Sequence, residues 1–225
     1  MVRAFGGRVA GRGAALVVAM CTLLMLLLAG ASAARLALQG ELAARNERDR
    51  HIAFHAAEGA LMDAEQDIEG GPGTSGRGAA FAPDSAAGFV AGCGGGAQLG
   101  LCLSAPDGEP PVWQRVDLSD ADEETGKTVP YGRFTGARMQ TGDGFLPFRR
   151  PRYLIELVPY AAPNADADPD PAQDPKPDPD PVAAPVAAAP HYLYRVTAIG
   201  FGSRAHTEVV LQTFYRKSSG EGGAK

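Results

Sequence analysis

Two cysteines stand at the ends of a glycine-rich segment, and their spacing is the first feature of this sequence with a chemical use. Cys93 and Cys102 are separated by eight residues. In an oxidising compartment such a pair would form a disulfide, and closing so short a loop stabilises a fold by about 2–3 kcal/mol. A zinc site is the alternative. It is disfavoured because no second close pair of Cys or His accompanies the two cysteines.

Two histidines and a glutamate form a second group, on a stretch with helical periodicity. His51 and His55 are four residues apart and Glu58 follows three residues later. This spacing would place three metal ligands on one helix face. The glutamate that directly follows the first histidine in helical zinc proteases is missing. A solvated helix face is the simpler interpretation, so the sequence predicts neither a metal site nor a cofactor.

An acidic insert forms the third group. Residues 163–190 carry six Asp and one Lys, many of them alternating with Pro. Such a segment can neither continue a helix nor pair in a sheet, which predicts an exposed, extended loop. Calcium binding by the aspartates is disfavoured because the prolines prevent the loop from folding around an ion. Outside the insert acidic and basic residues balance, and the sequence predicts no nucleic-acid partner.

Motifs of catalysis are missing from the chain. There is no G-x-S-x-G nucleophile elbow. The glycine-rich run at residues 92–96 lacks the strand, lysine and helix of a phosphate-binding loop. The sequence therefore predicts a protein without enzymatic activity.

The N-terminal region predicts on which side of a membrane these groups lie. Residues 13–34 carry no charge and would span about 33 Å as a helix, enough to cross a bilayer core of about 30 Å. Arg3, Arg8 and Arg12 precede them without any acidic residue. The positive-inside rule predicts a cytoplasmic N-terminus and an exported remainder. This is the topology of a single-pass protein of the bacterial inner membrane, with its head in the periplasm.

Three kinds of processing are compatible with this start. A signal peptidase could cut after Ala33, where small residues fit its pattern, although the apolar run exceeds a usual signal peptide and the helical pattern continues beyond it. Lipoprotein processing at Cys21 is disfavoured by the large Met20 before it. A cut between Gly13 and Ala14 would instead remove a short basic leader and leave the apolar helix attached.

Helical periodicity continues beyond the membrane segment. The sequence predicts a transmembrane part at residues 14–34 and an amphipathic periplasmic part at 35–69, together a helix of about 55 residues and ~80 Å. The face expected to pack on the head comprises Ala53, Ala57, Ala60, Leu61, Ala64 and Ile68. The polar residues assigned to the opposite face are Asp49, Arg50, His55, Glu58, Asp63, Glu65 and Gln66. Two glycines and a proline at 70–72 predict the helix end.

The remaining residues, 70–225, are predicted to form a β-rich head. Three segments have the alternation and the β-branched and aromatic content of strands: Arg152–Pro159, His191–Ile199 and Thr207–Tyr215. A hairpin at residues 200–205 would join the last two. Little regular structure is expected for residues 70–112, and short strands or a covering loop are expected for residues 113–150. The expected fold class is α+β, with the long helix packed on a small antiparallel sheet.

Both ends of the chain resemble PilX-type minor pilins, which take part in type IV pilus assembly. The resemblance lies in residues 12–18 and 48–61 near the N-terminus, and in 194–202 and 209–216 near the C-terminus. It implies a pilin-like fold. It also implies other minor and major pilins and inner-membrane lipid as partners, and incorporation into the pilus.

The resemblance further implies how the N-terminus is processed. A leader at residues 1–13 would be removed by the prepilin peptidase between Gly13 and Ala14, and the new amine would be methylated. Major pilins carry a glutamate as the fifth residue after the cut, where this chain has Val18. A subunit without it suits the initiation or the tip of a pilus better than the shaft. A membrane-tethered adhesin and a type II secretion pseudopilin, each acting as a binding module, remain the alternatives.

Overall fold

The structure, a computed structural model, contains two compact units, Met1–Arg48 and Asp49–Lys225. It describes residues 12–70, 77–82, 85–122, 125–160 and 191–217. The acidic insert and most of the predicted leader lie outside the described residues.

The first element is a helix, α1, that runs from Arg12 to Glu69 and contains 58 residues. No proline interrupts it, so its hydrogen bonds continue without a break. It ends at Gly70, whose φ of 75° is left-handed and whose N–H donates to Gln66 O at 3.1 Å. The Lys217 ammonium donates to Ile68 O at 2.7 Å, which places a cation at the negative end of the helix.

A five-stranded sheet forms the centre of the second unit. Its strands are β1 (Leu101–Leu103), β2 (Val129–Pro130), β3 (Arg152–Tyr160), β4 (His191–Phe201) and β5 (Glu208–Tyr215). The order is β1-β3-β4-β5, and β2 also pairs with β3. The antiparallel β3-β4-β5 meander confirms the three predicted strands. Residues 161–190 connect Tyr160 to His191, which are paired neighbours at the ends of β3 and β4.

One pairing differs from the predicted antiparallel sheet. β1 lies parallel to β3, with Leu101 opposite Ile155, so the sheet is mixed. A parallel pair needs a long crossover connection, and residues 104–151 provide it. Three strand residues inside a glycine-rich stretch give no alternation that a sequence pattern could detect.

Side chains alternate between the two faces of the sheet, and α1 covers the first face. The fully buried strand residues there include Leu101, Val129, Tyr153, Ile155, Tyr194, Val196 and Ala198. They form one core with alanines of α1, Ile68, Phe81 and Phe89. This packing confirms the predicted helix-on-sheet architecture.

Loops cover the second face of the sheet. Leu154, Ile199 and Phe201 pack there against a cluster that comprises Cys93, Cys102, Val112, Leu118, Trp113, Val116 and Phe148. A short helix, α2 (Val112–Arg115), carries part of this cover. Residues 113–150, expected to give short strands or a covering loop, therefore give both.

A buried ion pair attaches α2 to the sheet. The Glu156 carboxylate has no solvent exposure and accepts hydrogen bonds from Arg195 Nε at 3.0 Å and Nη2 at 2.7 Å. It also accepts one from the backbone N–H of Val112 at 3.1 Å. A two-pronged arginine–carboxylate pair of this kind is strong and geometrically specific. The charge of Glu156 is thus compensated inside the fold.

Candidate functional site

The membrane-entry residues lie at the beginning of α1, in the unit of residues 1–48. Gly13 and Ala14 are in its first turn, and Val18 is 61% exposed. The other large apolar side chains of this stretch are exposed as well: Leu16, Val17, Met20, Leu23, Leu24, Met25, Leu26, Leu27 and Leu28. By length and composition, the helix can cross a membrane.

The predicted head-facing residues of α1 lie against the sheet. Five of them have no solvent exposure: Ala53, Ala57, Ala60, Ala64 and Ile68. Leu61, the sixth, is partly buried at the margin of the same core. Four alanines in this row leave room for a strand to approach the helix backbone.

Gly200 of β4 makes that close approach. A Cβ at this position would lie 2.1 Å from Ala53 O and 2.3 Å from Ala57 N. Both distances are far below van der Waals contact, so only glycine fits here. Gly202 is similar, because its Cβ would lie 2.6 Å from Asp49 Oδ1. The two glycines therefore mark where the strand backbone touches the helix.

Asp49 holds the turn between β4 and β5. Its carboxylate accepts hydrogen bonds from Ser203 N at 2.6 Å, Ser203 Oγ at 2.7 Å and Arg204 N at 3.3 Å. Thr207 Oγ1 donates to its second oxygen. Burial raises the pKa of Asp49, but the hydrogen bonds from Thr207, Ser203 and Arg204 outweigh it and lower the pKa below its usual value.

Asp63 holds a second loop. Its carboxylate accepts hydrogen bonds from Gly132 N at 2.7 Å and from the Thr135 hydroxyl. Burial raises the pKa of Asp63, and these hydrogen bonds offset only part of that increase. The assignment of Asp49 and Asp63 to the helix face opposite the head is therefore wrong: they are 3% and 2% exposed. Both carboxylates accept hydrogen bonds from donors of the head.

Asp67 lies in a buried cluster near the end of α1. Arg77 Nη2 is 3.2 Å from Asp67 Oδ2, and the Tyr153 hydroxyl donates to the same oxygen at 3.1 Å. The Arg77 guanidinium lies 3.9 Å from the centre of the Phe134 ring, a cation–π contact. Burial raises the pKa of Asp67 more than the charge of Arg77 lowers it. A third aspartate thus connects the helix to the sheet.

A pattern in the sequence indicates all three aspartates. Asp49, Asp63 and Asp67 fall on the same 3.6-residue period as Ala53, Ala60 and Ala64. Asp49 and Asp63 were predicted to face away from the head because they are polar. Their positions along the helical period instead predict that they face the head. The buried row of α1 is therefore alanine-rich and carries a carboxylate at several turns.

The two glycine-segment cysteines form a disulfide, with Cα atoms 4.1 Å apart. Cys102 belongs to β1 and is fully buried, and Cys93 has a left-handed φ of 66°. The loop returns on itself through Gly94 N, which donates to Leu101 O at 3.2 Å. The disulfide therefore closes the loop beside the edge strand. Cys21 in α1 is a free, exposed thiol.

The histidine group is an exposed helix surface. His55 Nδ1 lies 2.9 Å from Glu58 Oε2, and the His51 and His55 rings are stacked with centroids 6.3 Å apart. No group of three His, Cys, Asp or Glu residues in the described part of the chain could hold a metal ion.

A cavity of about 610 Å³ lies beside β1 and α2. Three of its charged lining residues bond to neighbours: Arg115 pairs with Glu109 at 2.9 Å, and Asp120 accepts from the Thr125 hydroxyl at 3.0 Å. These bonds hold the cavity wall.

Two family models match the chain. A model described as type IV pilus assembly protein PilX C-term covers residues 98–217, and one described as PilX N-terminal covers 12–61. The first includes Gly200 and the turn at 203–207, and the second includes Asp49. The two matched segments thus meet at the contacts described above. No match was found among the curated proteins or the solved structures.

Proposed function

Since the chain belongs to the PilX family of type IV pilus assembly proteins, we propose that it is a minor pilin-like subunit that acts at the initiation or the tip of the pilus. The family takes part in assembly together with other pilus components. The proposal concerns the position of this subunit within that assembly. The observation that carries it is Val18, an apolar side chain in the uncharged stretch of residues 13–34, at the position where the major pilins that the chain resembles have a glutamate.

The physical reason is the cost of a carboxylate in hydrocarbon. An ionisable side chain inside a membrane is expensive unless a partner pairs with it. In a repeating shaft each subunit has a neighbour that can supply that partner. A first or terminal subunit has none on one side, so an apolar residue such as Val18 is the less costly choice.

Proposed partners and location follow from the same helix. The exposed apolar stretch at residues 14–34 would lie in inner-membrane lipid before assembly and pack against the helices of other minor and major pilins afterwards. The head would be in the periplasm. The prepilin peptidase would process the chain on the cytoplasmic side, and Asp49, Asp63 and Asp67 would keep the head attached to α1.

The mature N-terminus tests the processing step. We expect mass spectrometry of the protein purified from its own membrane to show a start at Ala14 with a methylated amine. Gly13→Val should leave the leader attached, because it changes the residue at the cut. The matched Gly11→Val variant leaves that residue unchanged and should be cleaved normally. A mature start at Ala34, or an intact Met1, would contradict a pilin-like subunit.

Introducing the missing glutamate tests the position in the pilus. Val18→Glu should lower the number of pili per cell toward that of the deletion strain, because a terminal subunit offers the new carboxylate no partner. Val18→Leu is the matched control and should assemble normally. Electron microscopy counts pili, and immunoblotting checks that all variants are equally abundant.

Two results would count against an initiation or tip role. A normal pilus number with Val18→Glu at normal abundance is the first. The second is a deletion strain that keeps its pili but loses attachment to surfaces, which would favour the adhesin alternative.

A further inference from the structure

A second cavity, of about 410 Å³, lies between the start of β3 and two loops of the head. Two arginines line it: Arg152, the first residue of β3, and Arg133, which follows β2. Leu99, Ala121 and Pro130 supply apolar parts of its wall. The cavity thus combines two arginines and one aspartate, Asp122, with apolar surface, as ligand pockets commonly combine polar groups with apolar walls.

Arg152 is the unusual member of this lining. It is 7% exposed, and its guanidinium is held by neutral oxygens of one residue: Nε donates to Thr128 Oγ1 at 2.6 Å and Nη2 to Thr128 O at 2.8 Å. A buried charge is costly unless a counter-charge accompanies it. Thr128 fixes the guanidinium in place, and within the described residues no carboxylate forms an ion pair with it.

Two other arginines of the same head are paired with a carboxylate. Arg77 is paired with Asp67 at 3.2 Å, and Arg195 is paired with Glu156 at 2.7 Å. Burial and the nearby charges of Arg149 and Arg133 lower the pKa of Arg152, against the effect of Asp120. The head therefore supplies an ion-paired carboxylate to Arg77 and to Arg195. Arg152 instead has Thr128 as its hydrogen-bond acceptor, with the charges of Arg149 and Arg133 nearby and that of Asp120 opposing them.

Gly126 lies beside the guanidinium in the cavity lining. A Cβ at Gly126 would lie 2.4 Å from Asp122 O and 3.5 Å from Arg152 Nη2, so a side chain would enter the space in front of the guanidinium. The Asp122 carboxylate, which also lines the cavity, accepts a hydrogen bond from Thr125 N at 3.0 Å within its own turn. Gly126 keeps the approach to Arg152 open.

We propose that this cavity binds an acidic side chain, Asp or Glu, from a peptide segment of a partner protein, with the carboxylate between Arg133 and Arg152. The planar guanidinium matches a carboxylate in two-pronged geometry. The volume exceeds the needs of a free inorganic anion, and the apolar wall suits the aliphatic part of a side chain. The site does not depend on where the subunit lies in a pilus.

The test uses the full chain in detergent micelles and a fluorescein-labelled peptide, Gly-Asp-Glu-Asp-Gly, followed by fluorescence polarisation at about 0.15 M salt, where exposed charges are largely screened. The neutral peptide Gly-Asn-Gln-Asn-Gly is the ligand control. We expect the acidic peptide to bind and the neutral one not to bind. Inorganic phosphate should displace the acidic peptide only at large excess.

Two arginine variants locate the binding. Arg133→Gln should weaken it about tenfold or more, because a charge-assisted hydrogen bond is lost. Arg138→Gln, an exposed arginine of the same loop outside the cavity lining, should change it less than about twofold. Arg152→Lys keeps the charge but loses the two-pronged geometry and should also weaken binding; if it does not fold, Arg133→Gln decides.

Three results would overturn the proposal. Equal weakening by Arg133→Gln and Arg138→Gln would indicate a non-specific charge effect. Displacement by equimolar phosphate would indicate a site for a small free anion. Binding that emerges only after removal of residues 163–190 would show that the acidic insert of the chain itself occupies the cavity.

Discussion

Gly200→Ala should destabilise the head by more than about 3 kcal/mol, the range of severe overpacking in a core. The new Cβ would lie 2.1 Å from Ala53 O and 2.3 Å from Ala57 N, and both are backbone atoms of α1. Backbone cannot rotate away as a flexible side chain can, so β4 and the helix must separate. Urea unfolding of the full chain in micelles, followed by the fluorescence of its one tryptophan, Trp113, measures the loss.

Gly95→Ala is the matched control for this variant. Gly95 has a φ of −127°, which any residue adopts, and a Cβ there would meet nothing within 4 Å. Its unfolding free energy should stay within about 0.5 kcal/mol of the parent protein. If Gly200→Ala were equally mild, the close approach of β4 to α1 would not hold in solution.

Asp49→Ala should cost about 3 kcal/mol of unfolding free energy. The substitution removes the acceptor of the bonds from Ser203, Arg204 and Thr207, and it leaves these donors unsatisfied at a part-buried turn. Glu58→Ala is the control, because Glu58 is an exposed carboxylate of α1 whose contact with His55 lies at the surface. Comparable losses for the two variants would show that the Asp49 contact contributes little.

The contribution of Asp49 to stability depends on pH with a definite sign. The hydrogen bonds hold the pKa of Asp49 below its usual value, so its contribution is complete above the unfolded pKa of about 3.9 and is lost as the pH falls through the folded pKa. The stability difference between parent and Asp49→Asn should therefore shrink below about pH 4. Urea unfolding repeated between neutral and acidic pH measures this change.

Asp63 should show the opposite trend, which makes it an internal comparison. Burial raises its pKa, so its stabilising contribution is complete below the unfolded pKa and is lost as the pH rises through the folded pKa. Asp63→Asn should become more favourable relative to the parent as the pH rises. An identical pH profile for the two asparagine variants would contradict the assigned environments.

These contacts have a mechanical consequence for a subunit carried by a helix. Gly200 and Asp49 join residues that the N-terminal and C-terminal family models match separately. A force applied to α1 on the N-terminal side of Asp49 would reach the sheet through these two contacts. Variants that weaken either contact are expected to reduce pilus assembly through loss of the head, without any change at Val18.

The sequence alone determined the features that depend on local periodicity. A proline-free run with a helical period and a glycine stop predicts α1, whose described bounds are Arg12–Glu69. Alternating apolar residues predict β3, β4 and β5, because side chains of a strand point to opposite faces. The absence of charge between residues 13 and 34 likewise predicts a helix able to cross a membrane.

Only the tertiary structure decided which donors compensate the buried polar residues and where backbones touch. The donors to Asp49 lie 154 residues or more away along the chain, and the parallel partner of β1 lies beyond a long crossover. Helical and strand periods act over two to four residues, so they cannot report a compensating donor or a missing counter-charge at such distances. The Asp49 contact, the glycine at position 200 and the cavity at Arg152 therefore became visible only when the chain was folded.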